Sequence, residues 1–215
     1  MGPDLKIQGT NKTIWIEAIT PTSGETENSV PSMEEHNMFI PVAEPVAEEK
    51  IILRYTNSIQ VKNKQIIKYK ERILVKDGDA CIIAINGGRI ETQKFVSDPL
   101  PTIVKSVFPI GDEIVIINKD TYEPVWDGYT NRYKIKKCND SKVRTDAFIN
   151  SDEYSSIAGI LYLEIDLWNN IDLNAAKSVF IHNHQAEFPL PVGWIKHGTE
   201  FFVKNGYLYK RSYEL

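Results

Sequence analysis

The chain has 215 residues, 42% of them hydrophobic, enough to bury a sizeable core as one large or two small domains. No apolar run approaches the roughly 20 residues that span a bilayer, and the N-terminal stretch lacks the apolar region of a signal peptide. These absences exclude a membrane partner and lead us to expect a soluble, cytoplasmic protein, while a net charge of −4 excludes a generally basic nucleic-acid coat.

The two cysteines, Cys81 and Cys138, lie far apart, each in a strand-like stretch, with no paired Cys/His spacing. A zinc ribbon or disulfide scaffold is therefore not expected, and both read as buried free thiols. Charge is unevenly spread. Residues 1–49 hold nine acids and two lysines, residues 50–76 eight cations and Glu71, and residues 132–144 six cations and Asp140. The two basic stretches fit either a phosphate-tracking surface or a solvated helix face and an exposed hairpin.

In chain order, Asp4-Leu5-Lys6-Ile7 and Thr13-Ile14-Trp15-Ile16-Glu17-Ala18 are short β-branched segments that read as buried strands, joined by a turn-like link at Gly9 and Asn11-Lys12. Each carries one acid, and buried carboxylates are costly unless paired, protonated or bound to a cation. If the strands are neighbours, Asp4 and Glu17 point into one site, the geometry of a divalent-metal centre. Residues 20–49, rich in Pro, Ser, Thr, Glu and Asn, read as a long surface loop.

A helix is then expected from Glu48-Glu49 to about Lys76, with acids in its first turn and bases in its last. Its apolar stripe is Ile52, Tyr55, Ile59, Ile66, Tyr69 and Ile73, and Lys62 sits in the middle of it. A lysine there either snorkels along the edge or meets a carboxylate. Residues 80–86, a nearly continuous apolar run stopped by Gly87-Gly88, read as a central strand covered on both faces. Strand, strand, helix, strand makes an α/β core with a crossover helix.

Residues 100–108 read as a short helix on that core. Beyond 110 the pattern turns mostly β, with strands expected at 113–118, 133–138, 143–148, 157–164 and 178–182 and a hairpin in the last 25 residues. The overall class is thus α+β: residues 1–110 form the α/β core and residues 111–215 a β-rich region packed on it. Trp126, Tyr129, Trp168 and Trp194 read as core aromatics.

The Pro3-Asp4 dipeptide, the later acid in Ile16-Glu17-Ala18, the following helix and the strand at 80–86 resemble the PD-(D/E)xK, or restriction-endonuclease-like, nuclease superfamily over about 85 residues. The resemblance implies a mixed sheet with a crossover helix and a site binding Mg²⁺ or Mn²⁺. Asp4, Glu17 and the carbonyl of Ala18 would be the ligands, and DNA or RNA the substrate. The family lysine, two positions after the second acid, is replaced by Ile19. Some members supply it from the next helix, where Lys62 is the natural candidate. Arg54, Lys64, Gln65 and Lys68 would then contact the nucleic acid or a water.

Family cores usually open with a helix and a strand that are not seen here, so a chain that keeps the fold without activity, as a binding domain, stays open beside the nuclease. A homodimer is also open. Trp15-Ile16-Glu17-Ala18, Arg54-Tyr55-Thr56, Ile83-Ala84-Ile85-Asn86 and Ile181-His182-Asn183 further resemble a bacterial family of no established activity, which adds no mechanism. His182 and His184 would face the same side of a strand, but they lack a spaced partner for a metal site. No Gly-x-Ser-x-Gly elbow or phosphate-binding glycine loop occurs.

Overall fold

Apolar alternation along the first strands decides which way the acids face. The computed structural model describes residues 2–9, 12–25, 27–31, 47–90, 92–93, 99–165 and 178–213. In it β1 (Leu5–Gln8) and β2 (Thr13–Ile19) form an antiparallel pair with Leu5 opposite Ile16 and Gln8 opposite Thr13. Helix α1 (Glu48–Glu71) then carries the chain back so that β3 (Ala80–Asn86) lies parallel to β2. The expected strand, strand, helix, strand order is present.

A short α2 (Thr102–Lys105) follows, then two ribbons outside the main sheet. One pairs β4 (Ile110–Ile117) with β5 (Pro124–Asn131), and the other pairs β6 (Lys134–Lys136) with β7 (Lys142–Arg144). The chain returns to the sheet with β8 (Gly159–Leu163), β9 (Val179–His182), β10 (Thr199–Lys204) and β11 (Tyr207–Ser212). The resulting seven-stranded mixed sheet runs β1-β2-β3-β8-β9-β10-β11, so the molecule is α+β and takes strands from both ends of the chain.

Alternate residues of β3 serve opposite faces, which is why its sequence is apolar throughout. Cys81, Ile83 and Ile85 share a core with Ile51, Tyr55, Ile59 and Ile66 of α1 and with Phe108 and Phe148. Ala80 and Ile82 join Ile14, Ile16, Ala158, Phe180 and Leu190 beneath the sheet. Where β3 ends, Gly87 is required, because a Cβ there would collide with the hydroxyls of Tyr55 and Tyr162, which lie 2.8 Å apart.

Several expectations are corrected. β1 is exposed at every residue, because it is an edge strand with one neighbour. Helix α1 ends at Glu71, short of Lys76; Ile73 has φ +59° and is exposed, and the amides of Arg72 and Leu74 turn back to Lys68 and Tyr69. Only 102–105 of the expected 100–108 helix is helical.

The strand expected at 143–148 stops at Arg144, since Thr145–Phe148 turn inward, Phe148 donating its amide to Val107. β5 was not expected, and its Trp126 is exposed rather than core. Cys138 is exposed in the β6–β7 turn, whereas Cys81 is buried and its thiol is pushed up to about 12 by that burial. Trp168 and most of the loop expected at 20–49 lie outside the described residues. Among the described residues no helix is long and apolar enough to cross a membrane.

Candidate carboxylate–lysine site

Period-two alternation turns Trp15, Glu17 and Ile19 of β2 toward α1, while Ile14 and Ile16 pack on the other face. Glu17 is therefore a carboxylate on the helix-covered side of the sheet, with only 3% exposure. Lys62 comes down from the stripe of α1 and meets it, Nζ to Oε2, at 2.6 Å. The lysine in the stripe is paired rather than snorkelling.

Asp4 completes the group from the edge strand. Extending the β1–β2 register by one residue brings Asp4 beside Glu17, and its Oδ2 accepts a hydrogen bond from the Ala18 amide at 2.8 Å. The same oxygen lies 3.7 Å from Lys62 Nζ. The site is graded in exposure: the Glu17 side chain at 3%, that of Lys62 at 13% and that of Asp4 at 54%. Ammonium and carboxylates thus meet where α1 lies over the β1–β2 edge of the sheet, buried at Glu17 and open at Asp4.

One and two turns further along α1, Gln65 and Tyr69 follow Lys62 at i+3 and i+7. The Tyr69 phenol is raised by burial and then by the negative charge of Glu17 and Asp4. Its signal in the sequence was the i+7 spacing, though there it read only as core. Two buried acceptors of this site, Glu17 Oε1 and Gln65 Oε1, have no hydrogen-bond partner among the described residues. An orphaned, nearly dry carboxylate oxygen beside a second carboxylate is an all-oxygen donor set suited to a hard cation such as Mg²⁺, which takes one or two carboxylates and keeps its waters.

Among the described residues no group of three or more His, Cys, Asp or Glu side chains converges, so water would supply the remaining ligands. Of the other residues expected at the site, Arg54, Lys64 and Lys68 make no bond to this cluster among the described residues, while Ala18 touches it. Arg54 Nε donates to the Thr22 carbonyl at 3.0 Å, which ties it to the segment after β2. Lys64 and Lys68 are exposed on α1, and Ala18 enters the site through its amide.

A second buried polar group lies at β9–β10. His182 Nε2 is 3.3 Å from Oε1 of the fully buried Glu200, whose Oε2 accepts from the Tyr213 hydroxyl at 2.7 Å and from the Gly193 amide at 2.9 Å. His184 follows the strand and is exposed, so the two histidines do not act as a pair. Comparison of the chain with protein-family models, with curated proteins and with solved structures found no match.

Proposed function

We propose that the chain carries a restriction-endonuclease-like, PD-(D/E)xK-type site that hydrolyses phosphodiester bonds of nucleic acid with a divalent metal. The observation that carries this reading is the Lys62 ammonium, 2.6 Å from Glu17 and 3.7 Å from Asp4. Two acids on neighbouring strands and a lysine from the crossover helix meet in a group that is open to solvent on the Asp4 side.

Asp4 and Glu17 would hold the ion, which supplies a Lewis acid and lowers the pKa of a bound water. Lys62, on the buried side, adds positive charge where the phosphorane becomes negative, and Glu17 fixes the direction of its ammonium. Tyr69 and Gln65 line the helix side, where a hydroxyl and an amide orient a water or a phosphate oxygen. Lys64 and Lys68, exposed on the same helix, would attract the backbone without reading bases.

A second reading, a binding domain that keeps the arrangement without turnover, is favoured by the Ala18 amide that already occupies Asp4 Oδ2. Calorimetric titration of Mg²⁺ and Mn²⁺, with incubation of the same samples with single- and double-stranded DNA and RNA, separates the two. Metal binding and cleavage that both vanish in Asp4→Ala/Glu17→Ala support the nuclease. Binding without cleavage supports the second reading, and no metal binding sinks the nuclease. In an active protein, Lys62→Met should lower cleavage by roughly two to three orders of magnitude, as loss of one preorganised charge does.

A further inference from the structure

The β4–β5 ribbon is the part of the molecule whose sequence and surroundings disagree most. Ile114-Val115-Ile116-Ile117 is an unbroken apolar run, the pattern of a strand covered on both faces. Yet Val115, Ile116 and Ile117 are exposed, as are Val125 and Trp126 opposite them. Trp126 stands 60% exposed across from Val115, and Val125 is exposed across from Ile116. Neighbouring positions point to opposite sides, so both faces of the ribbon are apolar and open.

A two-stranded ribbon is marginal in water unless something covers it. Among the described residues its root is what is held: Ile110 and Tyr129 pack on the main core, and Arg132 reaches Glu48 at 2.8 Å. Its tip, by contrast, is tightly built. The Asn118 side chain accepts from the amides of Asp120 and Thr121, and the Tyr122 amide returns to the Asn118 carbonyl at 2.8 Å. This turn holds Tyr122 at φ +58° and 81% exposed, an unfavoured conformation for an aromatic residue that projects it into solvent.

We propose that the ribbon is a dimerisation arm whose tip enters the cleft between α1 and the β6–β7 hairpin of a second copy of this chain. Charge selects the occupant. Residues 110–131 carry five acids and one lysine, so two ribbons laid on each other would repel. The complement is in the same chain: residues 132–144 carry six cations against Asp140, and beside them opens a cleft of about 350 Å³.

Leu53, Val143 and Ala147 give this cleft an apolar lining, and its Arg144–Asp146 pair neutralises itself at 2.8 Å. Lys137 and Lys142 remain against Glu153 and meet a tip that carries Asp120 and Glu123 around Tyr122. Ribbon root and hairpin adjoin: two residues separate Asn131 of β5 from Lys134 of β6, and the Thr145 hydroxyl donates to the Arg132 carbonyl. A two-fold arrangement can therefore seat each arm on the other's hairpin and bury both faces of two ribbons in one closed interface.

Sedimentation equilibrium of the full chain tests this at low and high salt, with thermal melts confirming that each variant folds. The expected result is a dimer that loosens with salt and weakens roughly tenfold or more on Trp126→Asp, as loss of an aromatic anchor does. Asp120→Lys/Glu123→Lys and Lys137→Glu/Lys142→Glu should each weaken it, and mixing the two should restore association between them.

Tyr122→Gly separates docking from architecture: relief of the φ strain would steady the isolated arm, but loss of the ring should still weaken the dimer. A monomer at roughly 100 µM in low salt, where a standard-sized interface would be occupied, overturns the proposal. So does a dimer indifferent to both Trp126→Asp and the charge reversals.

Discussion

At Lys62 one ammonium answers two carboxylates, one almost dry and one half in solvent. Removing it leaves Glu17 charged and buried, a change that typically costs about 3–5 kcal/mol; the open Asp4 side of this site puts the expectation near the lower figure. Urea unfolding of Lys62→Met should therefore show a loss of roughly 3 kcal/mol. Glu17→Gln/Lys62→Met should lose clearly less than the two single changes together, a coupling a double-mutant cycle reads directly. A cycle that closes additively would mean the pair contributes nothing to folding.

This cluster was largely legible before the structure: strand-borne acids and a lysine breaking a helical stripe are one-dimensional signals. What was not legible is the exposure of Asp4, because an edge strand and a central strand share the same short β-branched pattern. Glu200 was missed for a related reason. Its partner His182 lies on a different strand, and nothing local marks an acid whose hydrogen bonds come from Gly193 and Tyr213.

At the scale of elements, the two ends of α1 rest on different physics. Its first turn has no side-chain cap, Ala47 occupying that position. Instead Glu48 binds Lys105 and Arg132, each at 2.8 Å, and joins α1 to α2 and to the root of the β4–β5 ribbon. Glu48→Ala removes the acid those two poorly exposed cations share, with an expected cost of about 2–4 kcal/mol. Hydrogen exchange should accelerate first in β4 and β5, which depend on Arg132 for their footing.

The last turn ends with Ile73 in the left-handed region, where a β-branched residue is strained and where this one, being exposed, gains no packing in return. Ile73→Gly should raise stability by about 1 kcal/mol, measurable as a higher urea midpoint with an unchanged slope. The helix overran in the sequence because Ile73 continues the apolar stripe by periodicity. The stop comes from backbone bonds that Arg72 and Leu74 make to the previous turn. The hidden β5 has a different cause: Pro124, Gly128 and charged neighbours mask the alternation that a covered strand would show.

For the whole molecule, pH acts through buried histidine on the acid side. Burial lowers the pKa of His182 below the ordinary 6.5, with Glu200 opposing it, and partial desolvation lowers that of the exposed His184 as well. The unfolded chain therefore binds more protons than the folded one below that value, and stability falls as pH drops. Asp146, held low by Arg144, and Glu187, held low by Lys70, add a second loss in the carboxylate range. The melting temperature should be level between about pH 6.5 and 8 and decline below that window, and decline again above it as the buried Cys81 thiol, raised to about 12, resists the ionisation open to the unfolded chain. His182→Gln should flatten the first part of the decline, and an unchanged profile would show that His182 does not titrate on unfolding.

The order of strands in the main sheet also sets a timetable for synthesis. Two of the earliest strands flank one side of β3, but its other neighbour, β8, begins at Gly159, more than seventy residues later in the chain. Until that segment emerges from the ribosome, the Ile82-Ile83-Ile85 strand presents an unpaired apolar edge to solvent or to its neighbours on the same messenger. The same wait burdens any fragment cut between the ribbons and β8: it would keep the helix and both acids of the site, yet expose the hydrophobic flank that the absent half was made to cover.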